Sequence, residues 1–160
     1  GLGVVRDKEK AFHFCVKAAT ANISFAQYLL AVYGQDIDVI DLEDQVMWHM
    51  RASEQGVAAS SFCLAQLLDT DQKKSAYWMK KAAEQGHDKA QYEIGCTLLE
   101  SSWTYKEALM WLNKAADQEN VKAQRLLGDV YAKTDPEAGA HGISAFPEAR
   151  PVPPPAAVSR

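Results

Sequence analysis

The sequence predicts an all-α fold, a solenoid of stacked helical hairpins. Apolar residues recur at helical spacing from residue 7 to residue 133, with no strand-like alternation. All six prolines lie at Pro136 or later, so none of them interrupts a helix before that point. A pair of small residues recurs four times, beginning at Ala18, Ala52, Ala82 and Ala115, at spacings of 34, 30 and 33 residues. A period of this length indicates one helical hairpin per repeat.

The repeat places eight helices, one on each side of each of four tight turns. The predicted helices span about residues 7–21, 23–34, 43–55, 57–69, 72–85, 88–101, 104–119 and 121–133. Each turn falls four residues after the first member of the small pair, where Asn22, Gly56, Gly86 and Glu119 stand. Glycine and asparagine tolerate the left-handed conformation that ends a helix, and Glu119 replaces them in the fourth copy.

Two further small columns and one aromatic column define the predicted core. Small residues stand eight and thirteen positions after the first alanine, where they let helices approach closely: Ala26, Ser60, Ala90 and Ala123, then Ala31, Ala65, Gly95 and Gly128. Four positions before it stand Phe14, Trp48, Trp78 and Trp111. We expect these aromatic rings to fill the space beside the small residues, each contributing on the order of 2–3 kcal/mol by burial. Their helical spacing favours a core role over a ligand box.

The stretch from residue 35 to 44 breaks the repeat and is rich in acids. A calcium loop would need glycine and glutamate at its sixth and twelfth positions, but counting from Asp36 these are Asp41 and Met47. The sequence therefore predicts a solvated loop in which Asp41 or a nearby acid caps the following helix. It predicts no metal site and no cofactor elsewhere in the chain.

Charge and composition exclude several classes of partner. The net charge of −4 comes without a basic stripe, so we expect no nucleic-acid partner. No run of 18 apolar residues exists, so we expect no membrane insertion. Residues 1–7 do not resemble a signal peptide. The three cysteines, Cys15, Cys63 and Cys96, are predicted to be small apolar residues within helices. Their odd number slightly favours the cytoplasm, with a secreted or periplasmic location open if a signal was removed.

The region from 134 to 160 is a proline-rich tail that cannot be helical. It contains Pro151 and Pro154, which form a PxxP match, a weak indication of binding to aromatic grooves. One interpretation is an unstructured end. The other is that the tail docks on the concave face, on the last helix or on a neighbouring molecule. Self-association through the solenoid ends or through this tail is a further possibility.

The residues from Ala76 to Leu98, and again from Ala108 to Tyr131, carry an A-x-x-W-x-x-K-A-A pattern followed by a turn, an alanine and L-G. This pattern resembles the Sel1-like repeat family, relatives of the tetratricopeptide repeats. The resemblance covers about residues 1–133 and implies a right-handed superhelix. Residues 1–7 resemble the loop within a family unit, so the first unit is expected to be truncated. The predicted domains are therefore a solenoid at 1–133 and a tail at 134–160.

The tetratricopeptide resemblance also implies a binding face. The first helix of each family unit lines the concave surface, and four positions on that helix face a bound peptide. These positions hold sixteen residues, of which Gln35, Ala59, Asp69, Leu99 and Ala132 are not included in the predicted site. We call the other eleven the first-helix strip: Phe25, Tyr28, Val32, Phe62, Gln66, Lys89, Tyr92, Cys96, Lys122, Arg125 and Asp129. Its first half is apolar and its last part is charged, which fits a peptide with an apolar and an acidic part. Alternatively, Phe62 and Tyr92 pack against the neighbouring helix.

Three interpretations of function follow. The first is a non-catalytic adaptor that binds a protein or peptide on its concave face. The second, also drawn from the resemblance, is a bacterial immunity or host-interaction protein that captures one specific protein such as a toxin. The third is an enzyme, for which His49 or another histidine would have to meet Cys63 or Cys96. No phosphate loop, nucleophile elbow or zinc motif supports that third interpretation.

Overall fold

The computed structural model describes residues 8–36, 40–100 and 102–134. Within these ranges the chain forms helices and turns only, and each helix bound lies within two residues of its prediction. The predicted loop at 1–7 and the proline-rich tail lie outside the described residues. The helices are α1 (Lys8–Thr20), α2 (Ser24–Asp36), α3 (Leu42–Glu54), α4 (Ala58–Leu67), α5 (Gln72–Glu84), α6 (Asp88–Leu99), α7 (Tyr105–Asp117) and α8 (Val121–Thr134), with a 3₁₀ turn at Ser102–Thr104.

The four tight turns share one backbone geometry. Asn22, Gly56, Gly86 and Glu119 all have positive φ angles, of 65°, 89°, 95° and 62°. The next residue in each turn donates its N–H to the carbonyl of the first small residue, as in the 2.9 Å bond from His87 to Ala82. This is the hydrogen bond of a Schellman-type helix end. The prediction of a left-handed residue at this position is therefore confirmed in all four copies, including the one that carries glutamate.

Side-chain caps begin four of the described helices, among them α8, where Oδ1 of Asn120 accepts from the Ala123 N–H at 3.1 Å. Asp41 caps α3, accepting a hydrogen bond from the Asp44 N–H at 2.8 Å, as predicted for the acidic loop. Asp71 caps α5 in the same way, through the N–H of Lys74. His87 caps α6 with its Nδ1 atom, which accepts from the Ala90 N–H at 3.4 Å. Each cap satisfies a backbone donor that the helix itself leaves without an acceptor.

The hairpins stack so that Trp48, Trp78 and Trp111, one in each of the last three units, pack against the unit before. Trp78 packs against Leu64 and Ala65 of α4, and Trp111 against the alanines of α5 and α6. Both rings are buried, whereas Trp48 is half-buried. The prediction of a buried aromatic was wrong for Phe14, which is 65% exposed. No described element precedes α1, so nothing within the described residues covers that ring.

The small residue at the thirteenth position fixes how closely two helices meet. A Cβ atom added to Gly95 would lie 2.6 Å from Cγ of Leu112 and 3.3 Å from the carbonyl oxygen of Ala108. Ala31 and Ala65, at the equivalent positions, are fully buried. Gly128 departs from the prediction, because a Cβ atom there would meet nothing within 4 Å among the described residues. The close approach needs a following helix, and α8 is the last one described.

A row of buried glutamine side chains links the units. Gln27 is almost fully buried and donates from Nε2 to the carbonyl of Ala19 at 3.2 Å. Its Oε1 accepts from Nε2 of Gln55, in the next unit, at 2.8 Å. The same two bonds recur with Gln91, which donates to the Ala83 carbonyl at 3.0 Å and accepts from Gln118 at 2.8 Å. Each glutamine thus satisfies a backbone carbonyl at a helix end and an amide of the adjacent unit.

The second unit replaces this glutamine by Ser61 and keeps the connection. Ser61 and Ser53 share a hydrogen bond of 2.6 Å between their hydroxyl groups, both fully buried. Gln85 of the next unit then donates directly to the carbonyl of Ser53 at 2.8 Å and accepts from Ser61. In all three units a glutamine of the following unit therefore forms hydrogen bonds at this position. In the second unit its buried partner is Ser61 instead of a glutamine. We call Gln27, Ser61 and Gln91, together with their partners Gln55, Gln85 and Gln118, the glutamine row.

Replacing Glu119 by glycine should stabilise the protein. A left-handed backbone costs an L-residue about 1–2 kcal/mol, part of which the greater freedom of glycine in the unfolded chain offsets. We expect the free energy of unfolding in urea to rise by about 0.5–1 kcal/mol for Glu119→Gly. Glu93→Gly, in the middle of α6, is the control and should lower it by about 1 kcal/mol. Equal losses in both variants would contradict the assigned turn geometry.

Candidate functional site

The N-terminal part of the first-helix strip is an aromatic cluster on α2. The rings of Phe25 and Tyr28 lie 6.0 Å apart between centroids, and Tyr28 lies 6.1 Å from the ring of His49. Phe25 is 61% exposed, whereas Tyr28 and Val32 are half-buried. Burial raises the pKa of Tyr28, and its neighbours Cys63 and Tyr33 raise it further. Its hydroxyl therefore stays protonated at neutral pH and can act as a hydrogen-bond donor.

His49 is a buried core residue rather than a catalytic one. Its side chain is 1% exposed, and its Nδ1 atom lies 3.4 Å from Oγ of Ser60, which is fully buried. Burial lowers the pKa of His49 to about 4, so the ring is neutral at physiological pH. Burial also raises the pKa of Cys63, which keeps the thiol protonated and a weak nucleophile. These residues offer no exposed, activated nucleophile to a substrate.

The middle of the strip is built around a stacked pair of rings. Phe62 of α4 lies flat on His87, with 4.3 Å between centroids and an angle of 14° between planes. Phe62 also packs against the buried alanines of the α5–α6 turn. His87 must keep Nδ1 unprotonated to cap α6, and burial lowers its pKa accordingly. Phe62 is thus half-buried against the neighbouring unit, and only part of its ring faces solvent.

The C-terminal part of the strip includes a shallow depression between α6 and α8. Lys89, Tyr92 and Lys122 line it together, and its volume is about 300 Å³. Tyr92 is half-buried against the Leu112 cluster, and the nearby Cys96 thiol is the main cause of its raised pKa. Both lysines are exposed. Strip residues from two consecutive units therefore meet at one place.

The depression is not uniformly basic. Three acids line it as well, namely Asp88, Glu93 and Glu119. Asp88 accepts a 2.7 Å hydrogen bond from Asn120, which ties the two turns together. The remaining strip residues, Gln66 on α4 with Arg125 and Asp129 on α8, are exposed and lie outside the depression. The aromatic cluster on α2 and the charged part on α8 belong to the first and last hairpins, so the strip is not a single pocket.

The structure adds a site that the sequence analysis missed. A groove of about 500 Å³ lies between α5, α6 and α7, and no residue of the first-helix strip lines it. Its apolar lining residues follow the same helical period as the core, and that similarity hid them in the sequence. The sequence analysis also missed the glutamine row. A glutamine recurs three residues after the first member of the small pair, at Gln55, Gln85 and Gln118, and this recurrence could have revealed the row.

The remaining candidate features are metal-binding clusters, the three cysteines and membrane-spanning helices. The part of the chain that the structure describes holds no group of three or more histidine, cysteine or acidic side chains placed to bind a metal ion. The three cysteines are half-buried and unpaired in α1, α4 and α6, as predicted. Among the described helices, none combines the length and the apolar character that crossing a bilayer requires.

Comparison with known proteins agrees with this geometry. The model of the Sel1 repeat family matches residues 1–23, 24–57, 64–87 and 88–120, which together make up most of the chain. The chain belongs to the Sel1 repeat family. Proteins with Sel1 repeats typically mediate protein–protein interactions, and the repeat is generally a non-enzymatic scaffold. No curated protein matches the chain.

Two solved structures show the same Sel1 repeat architecture. A Sel1 repeat protein from Oxalobacter formigenes is 31% identical with a TM-score of 0.72, over 81% of this chain and 40% of that protein. The second is c5321, a protective antigen of uropathogenic Escherichia coli strains with an SLR fold. It is 28% identical with a TM-score of 0.64, over 84% of this chain and 31% of the antigen. The Sel1 repeats described here thus span less than half the length of either protein.

The buried His49 should make the Sel1 repeats less stable in mild acid. Below its ordinary pKa of about 6.5 the unfolded chain binds a proton at His49, whereas the folded chain binds it only near pH 4. The free energy of unfolding should therefore fall by roughly 2 kcal/mol from this residue between pH 6.5 and 5. Urea titrations of the protein and of His49→Gln at several pH values measure the difference.

The variant His49→Gln should lose most of that pH dependence. His87 contributes in the same direction because its pKa is also lowered, so His87→Asn, which retains a good capping residue, separates the two histidines. An unchanged fall in stability for His49→Gln would mean that His49 is not the buried neutral residue described.

Proposed function

We propose that this chain is a non-catalytic scaffold that binds a partner protein or peptide along the first-helix strip, which the repeat resemblance places on the concave face. One observation carries the proposal: Lys89 and Tyr92 of α6 and Lys122 of α8 line the same depression. Side chains of consecutive units that converge on one exposed place can contact successive residues of an extended peptide. The usual role of Sel1 repeats in protein–protein interaction supports this interpretation.

The partner chemistry follows from the two parts of the strip. Phe25 and Tyr28 offer exposed and half-buried aromatic surface to apolar side chains. Lys89, Lys122 and Arg125 offer exposed cations to one or two carboxylates. The acids that line the depression restrict where a carboxylate can bind, because it must approach the lysines and avoid Glu93 and Glu119. A peptide with an apolar part and a short acidic part fits this pattern.

The absence of chemistry supports the non-catalytic part of the proposal. His49 and Ser60 are buried, and burial keeps the Cys63 thiol protonated. A catalytic site would need at least one accessible group with an altered protonation state. Within the described residues the strip offers contacts instead.

A narrower candidate is that the partner is one specific protein that this chain captures or neutralises, for example a toxin. The similarity to a protective antigen of uropathogenic Escherichia coli, of which the chain covers 31%, is the observation that keeps this candidate open. Affinity capture from the native source, with and without residues 135–160, distinguishes the candidates. Capture of a single partner, in equal amount with and without residues 135–160, supports a specific partner. Capture of several partners that share a peptide motif supports the general scaffold.

Removing two tyrosines of the strip should abolish partner binding. Peptides selected from a random display library on the intact protein should combine aromatic or aliphatic residues with aspartate or glutamate. Tyr28→Ala with Tyr92→Ala removes an aromatic anchor from each half of the strip, and we expect the affinity for these peptides to fall by a factor of roughly 100 or more. Fluorescence anisotropy measures the affinity, and circular dichroism checks that the helices remain.

Two controls make this experiment specific. Tyr77→Ala removes a 60% exposed tyrosine on α5, outside the strip, and should leave the affinity unchanged. Lys89→Glu with Lys122→Glu should lower the affinity for acidic peptides far more than Lys73→Glu with Lys106→Glu does. The second pair makes the same change of net charge outside the strip. Unchanged affinity in a folded double tyrosine variant would show that the strip is not the binding face.

A further inference from the structure

The groove between α5, α6 and α7 lies apart from the first-helix strip. Its volume of about 500 Å³ is within the range of pockets that hold small ligands or anchoring side chains. The first half of α5, the second half of α6 and the first turn of α7 form its walls. It therefore lies at the open end of the α5–α6 hairpin, away from the tight turn at Gly86.

The floor of the groove is apolar and held in place by the core. Met79, Ile94 and Leu98 line it, and all three are half-buried. The same side chains pack against the buried cluster that contains Ala82 and Trp111. Because the core fixes one side of each residue, the opposite side presents a preformed apolar surface to the groove. Such a surface favours an apolar side chain from a ligand without requiring the helices to rearrange.

The rim of the groove is acidic on three sides. Asp69 follows α4, Glu93 stands in α6 and Glu107 in the first turn of α7, and all three side chains are exposed. Within the described part of the chain none of these carboxylates forms an ion pair. Lys80, the one cation among the described residues that line the groove, lies 4.0 Å from Glu84 of its own helix. The charge left for a ligand at this rim is negative.

We propose that the groove binds a peptide segment of a partner protein that carries a large apolar side chain flanked by lysine or arginine. The apolar side chain would contact Met79, Ile94 and Leu98, and the flanking cations would pair with Asp69, Glu93 and Glu107. This preference is the opposite of the one proposed for the first-helix strip, whose cations suit an acidic peptide. The chain then has two binding faces of opposite charge preference, which border each other at Glu93.

The test uses a designed probe and the intact chain. The probe is a fluorescent amphipathic peptide of about 14 residues with leucine at helical spacing and lysine elsewhere. Two comparison peptides replace lysine by glutamate or leucine by serine. The leucine–lysine peptide should bind in anisotropy titrations, and neither comparison peptide should. Equal binding of the serine–lysine peptide would overturn the proposal, because it would show general charge attraction without use of the apolar floor.

Matched variants locate the binding. Asp69→Asn with Glu107→Gln should lower the affinity for the probe roughly tenfold, since exposed ion pairs contribute up to about 1 kcal/mol each. Asp44→Asn with Glu54→Gln makes the same charge change on α3 and should leave the affinity within about twofold. Ala76→Arg, at an exposed lining position, should block the groove. Equal effects of the two charge pairs, or full binding to Ala76→Arg, would overturn the proposal.

Two further measurements distinguish binding in the groove from binding on the first-helix strip and from occupation by the chain's own end. Tyr28→Ala with Tyr92→Ala should leave probe binding unchanged, so failure of the first-helix strip and failure of the groove are distinguishable. Residues 149–160 also combine apolar residues with Arg150 and Arg160 and contain no acid. Unchanged affinity after deletion of residues 135–160 supports a partner segment as the ligand. A rise of tenfold or more would show that the chain's own end occupies the groove, and would overturn the proposal.

Discussion

Leu112 of α7 lies so close to the backbone of α6 at Gly95 that a single added carbon would meet it at 2.6 Å. Contact at this distance brings the two helices together along their length and leaves Trp111 packed on the alanines of α5 and α6. Because a helical hairpin cannot bury its apolar face alone, the stability of each unit depends on such approaches to its neighbours. The glutamine row adds a polar constraint, since each buried amide bonds the end of one helix and the next unit together.

This packing also decides which surfaces are available for binding. Because successive units are held in a fixed relation, the ring of Phe62 stacks on His87, and Lys89 and Lys122 line the same depression. The same geometry separates α5 from α6 at the open end of their hairpin and leaves a groove with an apolar floor. The two proposed binding faces therefore both lie between units, and a change in the spacing of two helices would alter both of them. The family role in protein–protein interaction agrees with such surfaces.

The sequence predicted the local structure well because the same pattern of residues occurs in all four repeats. Helix bounds, left-handed turns and the Asp41 cap depend on residues close in the chain, and even Glu119 was placed correctly by its register. Predictions failed where the neighbouring unit decides the outcome: Phe14 and Gly128 have the expected residue types, but no unit is described before α1 or after α8. The groove could not be predicted, because whether Ile94 and Leu98 are covered depends on the separation of α5 and α7. The first-helix strip remains a prediction about binding.

The most direct test of the packing account compares alanine at two equivalent positions. Helix propensity alone favours alanine over glycine by about 1 kcal/mol at both. Gly128→Ala, with open space around it among the described residues, should raise the free energy of unfolding by roughly that amount. Gly95→Ala should instead lower it by about 1–3 kcal/mol, because the added carbon forces α6 away from Leu112. Urea unfolding measures both changes. Equal stabilisation of the two variants would contradict the claim that close approach at Gly95 holds consecutive units together.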